Sequence, residues 1–269
     1  IEFTGGSEIT ATYAQPPSVA TIQGVLTRLG HRESRVLLGE GNLAVITTDR
    51  LEPAELTRVT EALKPAATIQ GTATVGSAIS RELATNAILA VIYASVLIVF
   101  YLALRFAIPS FVEGLKFGSC AVAALLHDVL VVWGLFAIFG YFMNWHVDSL
   151  FVTAMLTVIG FSVHDTIIIF DRIRENLRLK ARGETFAEVT DRSIEQTFSR
   201  SINTSGTVVI TLLALLVFGG PVIRLFVTAL LIGIISGTYS SIFNASPLLV
   251  LWKRRSGDRA VPAQAAAGA

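Results

Sequence analysis

Five long apolar runs divide this chain into two parts with different surroundings. The runs cover residues 88–104, 117–142, 150–170, 202–218 and 222–252. Because about 20 apolar residues suffice to cross the hydrocarbon core of a bilayer, we interpret each run as a membrane-spanning helix. A helical lead-in from Ser77 is expected before the first run. The pattern therefore predicts a membrane α-helical bundle over residues 81–252, with five visible spans.

Residues 1–80 have short apolar runs between charged side chains, which is typical of a soluble domain. Alternating apolar and polar positions predict strands at 8–13, 35–38, 43–47 and 67–75, and helical spacing predicts helices at 18–29 and 53–63. Pro53 suits the first turn of the second helix. The order β-α-β-β-α-β is that of a small ferredoxin-like α+β domain.

The composition supports a membrane protein and excludes some other classes. Hydrophobic residues make up 52% of the chain, charged residues only 15%, and the mean hydropathy is +0.64. Cys120 is the one cysteine, so an intramolecular disulfide and a multi-cysteine metal site are excluded. The chain starts at Ile1 rather than Met, and we expect that an N-terminal segment is missing. The polar, Ala-rich tail at 253–269 is expected to be disordered.

The distribution of Lys and Arg predicts the orientation of the bundle. These residues flank alternate connections and the tail, at Arg105, Lys116, Arg172, Arg174, Arg178, Lys180, Arg182, Arg192, Lys253, Arg254 and Arg255. The other two connections, at 140–149 and 219–221, contain neither residue type. Because basic residues favour the cytoplasmic side, a loop at about 171–196 and the tail are predicted to be cytoplasmic, and residues 1–80 external.

Asp165 is the first candidate functional residue. It lies in the interior of the third apolar run, six residues before Asp171, which places it roughly 9 Å inside the end of the span. An acid at that depth is costly unless it faces protein or water, and such residues commonly mark ion or proton pathways. We predict a proton- or ion-coupling role, with a structural ion pair or interhelical hydrogen bond as the alternative.

Arg200, at the start of the fourth span, is the predicted counter-charge of Asp165. An Asp–Arg pair between adjacent helices can switch when the acid takes up a proton. The alternative is an interfacial arginine that extends to lipid headgroups. Asn203 and Thr207 are four residues apart and share a face with Arg200. Together with Thr204 they form a polar stripe. Such a stripe either lines a proton path or makes interhelical hydrogen bonds.

Other polar residues near the acid are predicted to support it. Ser162 and Thr166 flank Asp165 and could hydrogen-bond to it. His127 and Asp128 lie midway along the second span, and only one of them is expected to face Asp165, because adjacent helical residues point about 100° apart. We expect both to be satisfied packing groups. His164 is interpreted as a neighbour of Asp165.

Two further features concern the last span. Gly233 and Gly237 form a GxxxG pattern, which allows close helix approach. Pro247 is expected to kink or end the helix.

Several motifs resemble the SecF family, the smaller half of the SecD–SecF accessory complex of bacterial protein export, within the resistance-nodulation-division superfamily. They are IEFTGG at the start, AALLHD, VIGFSVHDTIIIFDRIREN, QTFSRSINTSGT, and FGGPVI followed by GxxxG. They fall in the order and spacing of that family over nearly the whole chain. SecF has six spans, so the resemblance implies that the first span is absent here. His164 departs from the family, whose members often carry Asn at this position.

The resemblance implies a function that composition alone does not. Family members use the proton-motive force, with SecD and the SecYEG channel, to draw unfolded preproteins out on the external side of the bacterial inner membrane. The intramembrane acid and arginine of the family map onto Asp165 and Arg200. Protonation of the acid would move the external domain. We expect no enzyme activity, no catalytic residue, no metal, no cofactor and no nucleic-acid partner, and leave open whether the ion is a proton or sodium.

Three alternatives to this hypothesis belong to other classes. The first is a drug or lipid efflux transporter of the same superfamily, which a ligand bound in the external domain would favour. The second is an intramembrane aspartyl protease, which would bring Asp128 and Asp165 together to share a proton. The third is a structural subunit that keeps its function when Asp165 is neutralised.

Overall fold

The computed structural model of the chain describes residues 2–255 except 4, 107–110, 144, 146 and 182. The expected disorder at 256–269 therefore lies outside the described residues. The chain forms two compact units. One comprises Ile1–Ala90, Val147–Val152 and Phe218–Leu225, and the other comprises Val91–His146, Thr153–Val217 and Phe226–Ala269.

The first unit contains the predicted α+β domain. Its elements are β1 (Gly6–Tyr13), α1 (Val19–Arg28), β2 (Arg35–Leu38), β3 (Leu43–Thr48), α2 (Pro53–Leu63) and β4 (Ala67–Val75), with a 3₁₀ turn at Glu40–Asn42. The strand order is β2-β3-β1-β4 and every neighbouring pair is antiparallel. Each β-α-β connection therefore spans an intervening strand, and the predicted ferredoxin-like topology is confirmed.

The core of this domain follows from the alternation of side chains along β1 and β3. Ile9 and Ala11 of β1 and Ile46 of β3 have no solvent exposure. They contribute to one hydrophobic cluster with Leu26 of α1 and Val59 of α2. Because successive strand residues point to opposite faces, this pattern leaves the polar residues of β1 and β3 on the other face of the sheet.

Among the residues that the structure describes, five helical segments are long and apolar enough to cross a membrane. They are α3 (Ser77–Arg105), α4 (Phe111–Met143), α5 (Ser149–Arg178), α6 (Phe186–Phe218), and a composite of α7 (Pro221–Ser240), a π-helical turn (Ser241–Ala245) and α8 (Ser246–Arg255). The five predicted spans and the membrane-bundle fold class are confirmed. The predicted loop at about 171–196 is wrong in extent, because α5 and α6 extend through most of it and only residues 179–185 lie between them.

Pro247 does not end the last helix, which was one of the two expected outcomes, and the predicted kink stays a prediction. The helix continues to Arg255, and the π-helical turn directly precedes the proline-containing segment α8. Pro247 has no N–H to donate to the carbonyl of Phe243, one α-helical turn earlier, and a wider turn accommodates that loss.

Aromatic and ionic contacts join α3, α4 and α5 at the end of the second unit where the sequence predicted basic residues. The rings of Phe106, Phe117 and Phe170 pack with centroid distances of 5.2 to 6.0 Å. Arg105 of α3 forms an ion pair with Asp171 of α5, with Nη2 2.7 Å from Oδ2. These contacts hold α3, α4 and α5 together near the end of the span that contains Asp165.

Candidate functional site

Asp128, midway along α4, is a buried carboxyl group surrounded by hydroxyl donors. Its side chain is 1% exposed. Ser162 of α5 donates to Oδ2 at 2.6 Å, and Ser240 of α7 donates to the same atom at 2.7 Å. Ser236 of α7 donates to Oδ1 at 2.8 Å. With Nδ1 of His127 at 3.2 Å from Oδ1, four groups surround a carboxylate that has about four lone-pair sites.

The spacing of small residues on α7 brings these serines to Asp128. Ser236 and Ser240 are four residues apart, so they lie on one face of α7. Gly233 and Gly237 bring the same helix close to α5. A methyl group placed at Gly233 would lie 2.7 Å from Cγ1 of Val158, and one at Gly237 would lie 3.0 Å from Cβ of Ser162. The predicted close helix approach at GxxxG is therefore confirmed.

Asp165 of α5 is also buried, at 1% exposure, but has far fewer partners. Ser205 of α6 donates to Oδ2 at a long 3.4 Å, and the Ser205 hydroxyl shares a 2.6 Å hydrogen bond with Thr238 of α7. Among the described residues, Oδ1 of Asp165 has no hydrogen-bond partner. Two buried acids in one bundle thus have opposite surroundings, one saturated with donors and one nearly without them.

Ser162 and Thr166 do not hydrogen-bond to the side chain of Asp165, which corrects the prediction. Ser162 donates to Asp128 instead. Thr166 donates to the carbonyl oxygen of Ser162 at 3.1 Å, and its hydroxyl lies 2.8 Å from that of Ser241 in the π-helical turn. Ser162 lies one turn from Asp165 on the same side of α5, but its single hydroxyl proton is already donated to Asp128. Thr166 directly follows Asp165 and therefore points about 100° away from it.

Arg200 is not paired with Asp165, which corrects the predicted ion pair. Arg200 is exposed, and the part of the chain that the structure describes shows no ion pair between the two residues. Ser205, not Arg200, is the α6 residue that contacts Asp165. The face of α6 that is buried comprises Phe186, Val189, Thr190, Ser193, Thr197, Ser201, Ser205 and Leu212. Arg200 precedes Ser201 and therefore points about 100° away from that face.

The polar stripe predicted with Arg200 also lies away from Asp165. Asn203 and Thr207 are exposed. Thr204 donates to the carbonyl of Arg200 at 2.8 Å, and Thr207 donates to the carbonyl of Thr204 at 2.8 Å. Their hydroxyls are therefore satisfied by their own helix rather than by an interhelical contact.

The two histidines next to the acids point outward. His164 is exposed, and the side chain of His127 is 40% exposed. Asp128 is therefore the buried residue of the pair. Its hydroxyl partners are serines of α5 and α7, so the prediction that one of the pair faces Asp165 stays a prediction. The two acids bind different hydroxyl groups, Asp128 those of three serines and Asp165 that of Ser205, and this is not the shared-proton geometry of an aspartyl protease.

Ser236, Thr238 and Ser240 were not identified from the sequence, and Ser201 and Ser205 were noted only as part of the polar stretch that follows Arg200. A usable signal was present, because Ser201 with Ser205 and Ser236 with Ser240 are each four residues apart. In the described residues, no three His, Cys, Asp or Glu side chains come together as a metal-ion site. The chemistry available at this site is proton exchange and hydrogen-bond rearrangement at two buried carboxyl groups.

These observations define a class: a multi-pass membrane protein with a small antiparallel-sheet domain and buried acids in its helical bundle. Comparison with known proteins narrows the class. The family described as protein export membrane protein SecD/SecF, C-terminal, matches residues 55–255. The protein translocase subunit SecF of Thermobaculum terrenum is 43% identical over 270 residues, covering 95% of this chain and 84% of the relative. The chain belongs to the SecF family of protein translocase subunits.

Further relatives give the same result. SecF of Anaerolinea thermophila is 37% identical over 260 residues, covering 94% of this chain and 83% of that protein. A crystal structure of SecDF from Thermus thermophilus, described as a translocon-associated membrane protein, matches with a TM-score of 0.84 at 35% identity. That match covers 95% of this chain and 34% of the SecDF chain, so this chain spans about a third of SecDF. These similarities support a translocase subunit rather than the efflux transporter considered above.

Proposed function

We propose that this SecF-family subunit couples the proton-motive force to protein translocation through protonation of Asp165. The observation that carries the proposal is the buried Asp165 carboxyl group, which has one long hydrogen bond and one oxygen without a partner among the described residues. A buried polar group in that condition is costly, and its cost depends on whether it carries a proton. A change in protonation therefore changes the packing that α5 prefers against α6 and α7.

The exposed position of Arg200 suggests that it contacts another protein in the proposed mechanism. A charged side chain within a membrane span rarely faces lipid and usually faces protein or water. Arg200, Asn203 and Thr207 form an exposed polar face on α6. We assign this face to contact with SecD, the remaining part of the SecDF chain in the Thermus relative. Arg200 then acts in the assembled complex, through SecD residues rather than through a pair with Asp165.

Membership of the SecF family supports a bacterial inner-membrane location. The Lys and Arg distribution supports an orientation with residues 1–80 outside and the C-terminus cytoplasmic. In that orientation the ferredoxin-like domain meets unfolded preproteins as they leave the SecYEG channel. Proton uptake by Asp165 drives the movement of this domain, and the cycle draws the preprotein outward. The subunit performs no covalent chemistry and uses no cofactor, and the proton is its coupling ion.

The test is preprotein export under an imposed proton gradient, in vesicles that contain the whole translocation machinery. Asp165→Asn and Arg200→Ala are expected to assemble at wild-type levels and to lose the gradient-dependent part of export. Asp171→Asn is the matched control, because it neutralises a partly exposed acid on the same helix whose ion pair with Arg105 is worth at most about 1 kcal/mol, and it should keep that component. Normal gradient-dependent export by Asp165→Asn would refute the proposal. Replacing the proton gradient with a sodium gradient distinguishes the coupling ion.

A further inference from the structure

A row of buried hydroxyl groups leads along α6 from one end of the helix to Asp165. Ser193, Thr197, Ser201 and Ser205 are four residues apart in succession, and each is at most 7% exposed. We propose that this row, here called the hydroxyl ladder, carries the proton between Asp165 and the solvent at the Ser193 end. The proposal rests on the proposed function, because it names the route by which the coupling acid exchanges its proton.

The spacing of the ladder suits water-bridged transfer. A four-residue step along an α-helix is about 6 Å, which is too long for a direct hydrogen bond between hydroxyls. Two O–H···O hydrogen bonds of about 2.8 Å each, with one water between the hydroxyls, span that step. Transfer along such a row breaks one O–H bond and forms another at every step. The Asp165 carboxyl group ends as a carboxylate, and the proton enters bulk water.

An independent observation shows that this part of the bundle has unused hydrogen-bonding capacity. Within the described residues, neither Oδ1 of Asp165 nor Oγ of Ser201 has a partner, and both side chains are 1% exposed. Buried polar groups in proteins are almost always hydrogen-bonded, to protein or to ordered water. Ser205, which lies one turn from Ser201, already contacts Asp165. The two unpartnered atoms therefore belong to residues at the Asp165 end of the ladder, where the proposed route requires a bridging water.

The other end of the ladder reaches exposed polar groups. Nδ2 of Asn176 donates to Oγ of Ser193 at 2.8 Å and to Oε1 of Gln196 at 2.8 Å. Gln196 in turn accepts from Nε of Arg172 at 2.6 Å, and both residues reach the surface. In the proposed orientation this is the cytoplasmic end, so the ladder is the cytoplasmic branch of the proton route.

The charged groups around the ladder are few. Asp165 on α5 faces its upper end, and Arg172 on α5 reaches its lower end through Gln196. On α7, the Thr238 hydroxyl meets Ser205. Arg200 and His164 point away from the interior. Between Asp165 at one end and Arg172 at the other, the described partners of the ladder are hydroxyl, amide and backbone carbonyl groups.

Ser201→Ala is the decisive variant, because the Ser201 hydroxyl makes no hydrogen bond that holds the described fold together. If the Ser201 hydroxyl has only a structural role, Ser201→Ala should show wild-type rates of export and proton uptake. The ladder predicts about a tenfold slower gradient-driven export and proton uptake, the factor that corresponds to about 1.4 kcal/mol at the transition state. Ser201→Thr keeps a hydroxyl and should restore the rate. Thr211→Ala, which removes an exposed hydroxyl on the same helix, is the control.

The measurement uses vesicles with the complete translocation machinery, a pH-sensitive dye and an export assay. Thr197→Val provides a second variant, because the Thr197 hydroxyl donates only to carbonyls of its own helix, at 2.9 and 3.2 Å. Slow proton uptake in both variants with restoration by Ser201→Thr supports the ladder. Wild-type rates in both, while Asp165→Asn is inactive, overturn the ladder and leave the proposed function intact. Full activity of Asp165→Asn overturns the proposed function itself.

Discussion

Gly233→Ala is expected to lower the free energy of unfolding of the bundle by about 3 kcal/mol, the upper part of the range for overpacked cores. The new methyl group would overlap Cγ2 of Val158, and it would lie 2.7 Å from Cγ1 and 3.0 Å from Cβ of the same residue. Val158 is 1% exposed on α5, so its side chain has little room to turn away. The helices α5 and α7 must then separate, and that separation also disturbs the contacts of Ser236 and Ser240 with Asp128.

A second substitution tests whether this clash is the cause. Val158→Ala alone removes two methyl groups from a buried site and is expected to cost about 1 to 3 kcal/mol. In the double variant, the methyl group at position 233 occupies space that Val158 has left. The double variant is therefore expected to be more stable than Gly233→Ala, with a favourable coupling free energy of about 1 to 3 kcal/mol.

The assay is denaturant unfolding of the purified protein in mixed micelles, with Gly134→Ala as the control. A methyl group at Gly134 has open space around it, so that variant should equal wild type or exceed it by up to about 1 kcal/mol. Wild-type stability of Gly233→Ala would refute the proposed close contact between α5 and α7. Strictly additive losses in the double variant would refute the pairing of Gly233 with Val158.

Three further predictions concern stability. Ser236→Ala removes a donor from the buried Asp128 carboxyl group and should cost about 2 kcal/mol in denaturant unfolding, whereas a wild-type midpoint would contradict the buried network. Arg105→Ala breaks the ion pair with Asp171, whose partners are 41% and 38% exposed, so the loss should be at most about 1 kcal/mol and should vanish at high salt. Burial raises the pKa of Tyr13 above 10.0, so the folded domain holds the phenolic proton more tightly than the unfolded chain, and stability should fall only above pH 10.0. Tyr13→Phe should abolish this loss of stability at alkaline pH. If the variant loses stability over the same pH range, another group is responsible.

Local sequence patterns predicted much of the fold correctly. Alternation in 1–80 predicted every strand of the sheet, because one face of β1 and β3 is buried and the other is not. Apolar length predicted the five spans, because the bilayer requires a minimum helix length. The helices α5 and α6 extend beyond their apolar runs, and hydropathy could not reveal this because polar helical turns outside a membrane have no apolar signature.

The candidate site was only partly predictable. Asp165 was identified from the sequence, because an acid in an apolar span is unusual wherever it points. Its partner was not, because α6 has two stripes of polar residues about 100° apart, one through Arg200 and one through Ser201. Both stripes have helical spacing, and charge complementarity alone favoured the wrong one.

The chain by itself thus determined its spans, its sheet topology, a close helix approach at the two glycines of α7, and the presence of a buried acid. Tertiary structure alone decided that three serines from two helices surround Asp128, that Ser205 rather than Arg200 meets Asp165, and that the hydroxyl ladder of α6 faces inward. The physical reason lies in the surroundings of the bundle. Lipid is as apolar as the packed interior, so hydropathy does not tell which face of a span is buried. Only the packing of α5, α6 and α7 against one another makes that choice.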